Sequence, residues 1–193
     1  MLPLDEATAQ LAERLRRVTV RIASAGRRGG QGSGVVWHPD GLIVTNAHVA
    51  HGERLLVRLP DGRELPGEVV ARARSRDLAA IRVHAGELVA AGTMGAAALR
   101  PGTLVFAMGA PLGVPDAITA GIVHTTSTRD RQGTPLLVRA DIRLAPGNSG
   151  GPLADARGRV VGINSMVVGG LGVAIATETV EAFLRRVVVA RAA

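Results

Sequence analysis

Three residues of this sequence, a histidine, an aspartate and a serine, lie in short segments whose composition suits an active site. Ser149 lies in LAPGNSGGPL, where three glycines and two prolines surround a single hydroxyl group. His48 lies in VTNAHVAHG, just after an apolar segment, and Asp77 lies in SRDLAAIRV, just before another. Histidine, aspartate, serine is one of the chain orders in which a catalytic triad occurs.

In such a triad His48 takes the proton from the Ser149 hydroxyl, and Asp77 fixes the tautomer of the imidazole. The glycines beside Ser149 allow backbone angles that point N–H groups into one concavity. We therefore expect the amides of Gly147 and Ser149 to bind an oxyanion. PGNSGG alone is also compatible with an exposed turn, since its residues are common in turns. The ordered histidine and aspartate favour the active-site interpretation.

The other histidines are expected to be solvated or packing residues: His38, His51, His84 and His124. A zinc site built on His48 and His51 has little support, because the chain has no cysteine and no nearby glutamate motif. We predict no metal site and no cofactor.

Composition excludes several other chemistries. Without cysteine there is no thiolate nucleophile and no disulfide, and all 23 basic residues are arginine, which excludes a lysine Schiff base. The net charge of +7 raises the alternative of a nucleic-acid-binding protein. The arginines are scattered, however, and only Trp37, Phe106 and Phe183 could stack on bases. We predict no nucleic-acid partner.

Short apolar runs separated by Gly, Pro and Asp turns indicate two groups of strands. The first group includes VTVRIAS, GLIVT and LAAIRV, and the second includes TLVFAMG, PLLVRADI and GVAIAT. Without alternating helices, this pattern favours β-barrels or a sandwich over a parallel α/β fold. Leu11, Leu15 and Val18 predict a short N-terminal amphipathic helix, and a 3.6-residue apolar period predicts a helix over 178–191.

No segment is long and apolar enough to predict a membrane span. Charged residues interrupt the first twenty positions, so a secretory signal is either absent or already removed.

Four segments together carry a family resemblance: GSGVVWHPDGLIVTNAHVA, RDLAAIRV, FAMGAPLG and RADIRLAPGNSGGPLADARGRVVGIN. In order and approximate spacing, they resemble the protease domain of the HtrA family of trypsin-like serine proteases. The resemblance covers residues 18 to about 190. It implies an all-β fold, the chymotrypsin-like double β-barrel, with a short N-terminal helix and a C-terminal helix. We expect one domain, with barrels over 18–90 and 91–177 and a helix over 178–191.

The resemblance also implies site residues and a function. The triad is His48, Asp77 and Ser149, and the oxyanion hole is formed by the Gly147, Asn148 and Ser149 backbone. Substrate-binding residues are Leu144, Ile163, Asn164 and Ser165, with Ser165 also supporting Asp77. The expected activity is that of a serine endopeptidase acting on unfolded polypeptides, with a preference for small aliphatic residues before the cleaved bond.

The sequence differs from the family pattern in three places. The sequence ends after the predicted C-terminal helix, where family members usually continue into PDZ domains, so such a domain is either absent or removed. The first 36 residues contain no aromatic residue of the kind that family trimers use. The stretch MVVGGLGVAIA is short where family members often have a longer regulatory loop. A family-type trimer therefore stays open, as does the alternative of a catalytically idle binding or chaperone-like module. The family suggests a cell-envelope or extracytoplasmic location, and the sequence leaves a cytoplasmic one open.

Overall fold

A computed structural model of the chain describes residues 3–24, 30–52, 54–111, 114, 116–129 and 135–192. Leu112 and Gly113, the last two residues of the predicted motif FAMGAPLG, lie outside these ranges. Helix α1 spans Leu4–Arg16 and helix α2 spans Thr177–Ala192. Both predicted helices are present, and α2 agrees with the predicted range 178–191 to within one residue at each end.

Six antiparallel strands close into a first barrel in the order β1-β2-β3-β6-β5-β4. The register of β1 with both β2 and β4 completes the ring. The strands are β1 (Thr19–Ser24), β2 (Gln31–His38), β3 (Leu42–Thr45), β4 (Arg54–Arg58), β5 (Glu64–Ala73) and β6 (Leu78–Val83).

A second barrel closes in the order β10-β11-β12-β9-β8-β7. Its strands are β7 (Leu104–Gly109), β8 (Ala117–Arg129), β9 (Pro135–Asp141), β10 (Pro152–Asp155), β11 (Val160–Val168) and β12 (Leu171–Ala176). The prediction of an all-β double barrel with a helix at each end is confirmed.

Apolar side chains fill each barrel and also join the two. Inside the first barrel, residues such as Val20, Ile43 and Ile81 are fully buried, because alternate residues of each strand point inward. A separate cluster joins Val35, Val44 and Leu78 of the first barrel to Ile163 and Ile175 of the second, and includes Val180 and Phe183 of α2. The barrels therefore pack against each other through an apolar interface. At the edge of this interface, side chains from both barrels can contact each other.

Helix α1 covers the outside of the second barrel. Leu11 and Leu15 are buried against Phe106 and Met108 of β7. Neither helix in the described ranges has the length and apolar character needed to cross a bilayer.

Candidate active site

His48 and Asp77 form a close pair at the rim of the first barrel. His48 lies in a turn directly after β3, where the amides of Val49 and Ala50 donate to the carbonyl of Asn46. Its Nδ1 lies 2.8 Å from Oδ2 of Asp77, and its backbone amide donates to Oδ1 of the same carboxylate at 3.1 Å. An ionised carboxylate only accepts hydrogen bonds, so the Nδ1 proton points at Asp77 and Nε2 carries the lone pair.

Asp77 is held in an unusual backbone conformation. It ends the 3₁₀ turn Arg74–Arg76 with φ 52° and ψ 42°, in the left-handed region that Asp tolerates better than most residues. Its carbonyl accepts a hydrogen bond from the buried side-chain amide of Asn46 at 3.0 Å. Asn46 therefore links the segment that contains Asp77 to the turn that contains His48.

Ser165, at the middle of β11, connects the two barrels at this point. Its hydroxyl donates to Oδ2 of Asp77 at 2.7 Å. Burial by itself would raise the pKa of Asp77, but hydrogen bonds from His48 and Ser165 outweigh it and hold that pKa below its ordinary value. The carboxylate is therefore ionised at neutral pH. The side chain of His48 is 48% exposed and that of Asp77 21%, so the imidazole lies on the solvent side.

Ser149 lies next to this chain of hydrogen bonds. Its hydroxyl donates to the carbonyl of Ser165 at 3.1 Å, so one residue, Ser165, contacts both Asp77 and Ser149. Among the hydrogen bonds of the described residues, none joins Ser149 to His48. The structure thus has a histidine–aspartate pair, with the hydroxyl of Ser149 turned toward β11.

The loop before Ser149, in which Gly147 and Asn148 are buried, determines which backbone amides are free to bind an oxyanion. Gly147 has φ +105°, and its carbonyl accepts from the Ser33 hydroxyl at 2.8 Å and from the Ala110 amide at 3.3 Å. Within the described residues, the amides of Gly147 and Ser149 have no acceptor. The amide of Asn148, which was also expected among the oxyanion donors, donates to the carbonyl of Ala145 at 2.9 Å and is not free in this structure. That amide closes the turn that orients the other two.

A cavity of about 290 Å³ opens beside Ser149. Leu144 and Ser165 line it, as predicted, together with Pro146, Met166 and Val167. Gly172 on β12 packs next to this cavity: a Cβ at Gly172 would lie 2.7 Å from Cγ2 of Ile142 and 3.1 Å from Cδ1 of Leu144. No residue that lines this cavity is acidic.

Ile163 and Asn164 do not line this cavity. Ile163 is fully buried in the interface between the barrels. Asn164 is also fully buried, and its side-chain amide donates to the carbonyl of Pro152 at 2.9 Å. The residues of β11 that line the cavity are instead Ser165, Met166 and Val167.

Ser33 on β2 has a supporting role that the sequence analysis missed. Its hydroxyl donates to the Gly147 carbonyl, and its amide donates to the carbonyl of Ser149 at 2.8 Å. Like Ser149, it stands between glycines, Gly32 and Gly34, which was a usable signal. The described residues contain no group of three His, Asp or Glu side chains that could hold a metal ion.

Comparison with known proteins agrees with this fold. A family model described as a trypsin-like peptidase domain matches residues 32–163. A fold of two β-barrels, with a His–Asp pair on one and a glycine-flanked serine on the other, defines a trypsin-like serine protease domain. This chain belongs to the trypsin-like peptidase family, and within it to the HtrA type.

The relatives supporting the HtrA type are longer than this chain. It is 39% identical over 138 residues to a DegP-like probable periplasmic serine endoprotease of Halomonas elongata, covering 70% of this chain and 29% of the relative. It is 36% identical over 164 residues to the mitochondrial serine protease HTRA2 of Drosophila persimilis, covering 80% of this chain and 38% of the relative. The solved structure of the HtrA-type protease AlgW with a tripeptide superimposes with a TM-score of 0.84 at 28% identity. The match covers 92% of this chain and 62% of that structure's chain.

Proposed function

We propose that this chain is a serine endopeptidase domain in which Ser149 attacks a peptide carbonyl and forms an acyl-enzyme. The observation that supports this most directly is the hydrogen-bonded series from His48 through Asp77 to Ser165, ending beside Ser149. Because Asp77 holds the Nδ1 proton, the lone pair of Nε2 is available to receive the proton of the Ser149 hydroxyl.

The chemical steps follow from these positions. Rotation about the Cα–Cβ bond of Ser149, between staggered positions, brings its oxygen from the Ser165 carbonyl toward His48. The oxygen attacks the substrate carbonyl while His48 takes its proton, and the amides of Gly147 and Ser149 bind the resulting oxyanion. His48 then protonates the leaving amine, and a water molecule, deprotonated by His48, hydrolyses the acyl-enzyme.

We propose that the cavity beside Ser149 binds the side chain before the cleaved bond and prefers small or medium aliphatic residues. Its walls are apolar, and no carboxylate lines it to pair with a basic side chain. On the same side of the site, β11 pairs with β10 only as far as Ile163. Its backbone beyond Ser165 can therefore pair with an extended substrate, as an unfolded polypeptide provides. From the names of the relatives, we also propose a location outside the cytoplasm.

The alternative of a catalytically idle module is favoured by one observation, the hydrogen bond from Ser149 to Ser165 in place of His48. Two peptidyl phosphonate probes, with valine or arginine at the residue before the reactive phosphorus, separate the two functions. We expect the valine probe to form one adduct per chain at Ser149, detected by intact mass, and to react more than about tenfold faster than the arginine probe. No adduct with either probe would favour the idle module, and faster reaction of the arginine probe would contradict the aliphatic preference.

Gly147→Ala tests the proposed oxyanion hole. A Cβ at this position would collide with the carbonyl of Ala110, and φ +105° is strained for alanine, so the loop must move and misalign its amides. We expect kcat for peptide hydrolysis to fall by about 10²–10³, the effect of losing one oxyanion donor. Gly102→Ala is the matched control, because Gly102 also has a positive φ, of +85°, but no atom lies within 4 Å of its Cβ position. Equal activity of the two variants would contradict the proposed hole.

A further inference from the structure

A second cavity, of about 250 Å³, opens on the outside of the first barrel and has no part in the steps above. Its wall includes Arg21 of β1, Arg58 of β4 and Glu64 of β5, and its end nearest the site is formed by Gly32 and Ala110. These last two residues neighbour the loop that carries Ser149. The amide of Ala110 donates to the Gly147 carbonyl, and the position of a Cβ on Gly32 lies 3.0 Å from the carbonyl oxygen of Ser149.

The position of Gly32 places this cavity on the leaving-group side of Ser149. A Cβ at Gly32 would lie 2.6 Å from the side chain of Val49, the residue after His48. Gly32 thus lies between Ser149 and Val49, in the segment that carries His48, whereas the apolar cavity lies against Leu144 and Met166. A peptide whose acyl part occupies the apolar cavity continues past Gly32 toward Arg21.

The charges in this second cavity do not cancel. Arg21 and Arg58 are directly opposite each other in the register of β1 with β4, an arrangement of like charges that destabilises a sheet. Glu64 neutralises Arg58, accepting a hydrogen bond from its Nε at 2.6 Å. Arg21 forms no ion pair with any described residue. Asp116 lines an adjoining cavity with both arginines but forms no ion pair with either.

The register of the strands gives the distance between Ser149 and Arg21. Ser33 contacts the Ser149 backbone directly, and Arg21 is the cross-strand partner of Ser33. Two such steps of about 5 Å place the Arg21 backbone about 10 Å from Ser149. An extended peptide covers that distance in about three residues.

We propose that Arg21 selects an acidic side chain at the second or third residue after the cleaved bond. The proposal rests on the proposed function, because it assumes that a peptide crosses the site in this direction. Its physical basis is a charge-assisted hydrogen bond between the Arg21 guanidinium and a substrate carboxylate. Because the cavity is partly exposed to solvent, this hydrogen bond should contribute only moderately to substrate selection.

The test compares two peptides that differ only by glutamate or glutamine at the second and third residues after the cleaved bond. We expect the wild-type protein to cleave the glutamate peptide with a kcat/KM about three- to tenfold higher, and high salt to reduce this preference. Arg21→Gln should lower the ratio below about twofold, and Arg21→Lys, which keeps the charge, should retain part of it. Arg185→Gln on α2 removes the same charge from an exposed position and should leave the ratio unchanged.

A wild-type ratio of one, or an unchanged ratio in Arg21→Gln, would overturn the proposal while leaving the proposed endopeptidase function intact. If neither peptide is cleaved, the proposed function fails and the role of Arg21 is decided by binding. Fluorescence anisotropy with the Ser149→Ala protein should then show tighter binding of the glutamate peptide. Equal affinities for the two peptides would overturn the selection by Arg21.

Discussion

Replacing Ser149 by alanine is expected to lower kcat for peptide hydrolysis by about 10⁶, the scale seen when a triad loses its nucleophile. The substitution removes the atom that forms the acyl-enzyme and leaves the rest of the site in place. Since the hydroxyl makes one hydrogen bond, to the Ser165 carbonyl, the cost in folding free energy should be about 1 kcal/mol. Turnover of a fluorogenic peptide, with thermal unfolding measured alongside, provides the test.

Two comparisons make this result specific. Thr8→Ala removes a hydroxyl from α1, far from the site, and should change kcat by less than about twofold. The double variant of Ser149→Ala with His48→Ala should be no slower than the single variant, because the two residues act as one unit. A loss below tenfold for Ser149→Ala would show that another group performs the chemistry.

Local patterns in the sequence were sufficient to predict two groups of strands forming barrels or a sandwich, and the family resemblance supplied the double barrel and the place of Ser165. Alternating apolar residues mark the strands, and the turns between them carry Gly, Pro and Asp, so the sequence contained these signals directly. That Ser165 supports Asp77 followed from family resemblance, and a hydrogen bond of 2.7 Å between their side chains agrees with it.

The orientation of side chains along β11 could not be predicted in the same way. All residues from Val160 to Ser165 are buried, so no alternation distinguishes the face toward the substrate from the face toward the core. An irregularity in pairing between Asn164 and Met166 then shifts the register, which changes the face that each following residue occupies. This is why Ile163 and Asn164 were expected at the cavity that Met166 and Val167 line.

The direction of the backbone amides near Ser149 also could not be predicted from the sequence. Which amide near Ser149 is free depends on the turn that the Asn148 amide closes with Ala145. It depends also on Ser33, which comes from the other barrel and holds the Gly147 carbonyl. The contact between Ser33 and Gly147 joins residues 114 positions apart, and local residue types do not encode it.

Asp77→Asn is expected to lower kcat by about 10⁴ while preserving the shape of the site. Asparagine can still accept the hydrogen bond from the His48 backbone amide through an oxygen in the Oδ1 position. Its amide nitrogen then lies in the Oδ2 position, where it faces Nδ1 of His48 and can donate to the Ser165 hydroxyl. Because that nitrogen donates, Nδ1 must accept, and the imidazole proton moves to Nε2. Nε2 then carries a proton where the proposed mechanism needs a lone pair.

Asp40 provides a matched control for Asp77→Asn, because it also pairs with a histidine. Its Oδ1 lies 2.9 Å from Nδ1 of His38, in an exposed turn between β2 and β3. Asp40→Asn alters the same chemical pair outside the site and should change kcat by less than about twofold. The pair of variants is compared by kcat at several pH values and by the imidazole ¹⁵N shifts of His48. Full activity of Asp77→Asn, or an unchanged tautomer of His48, would contradict the role of Asp77, since its carboxylate is the group that holds the Nδ1 proton.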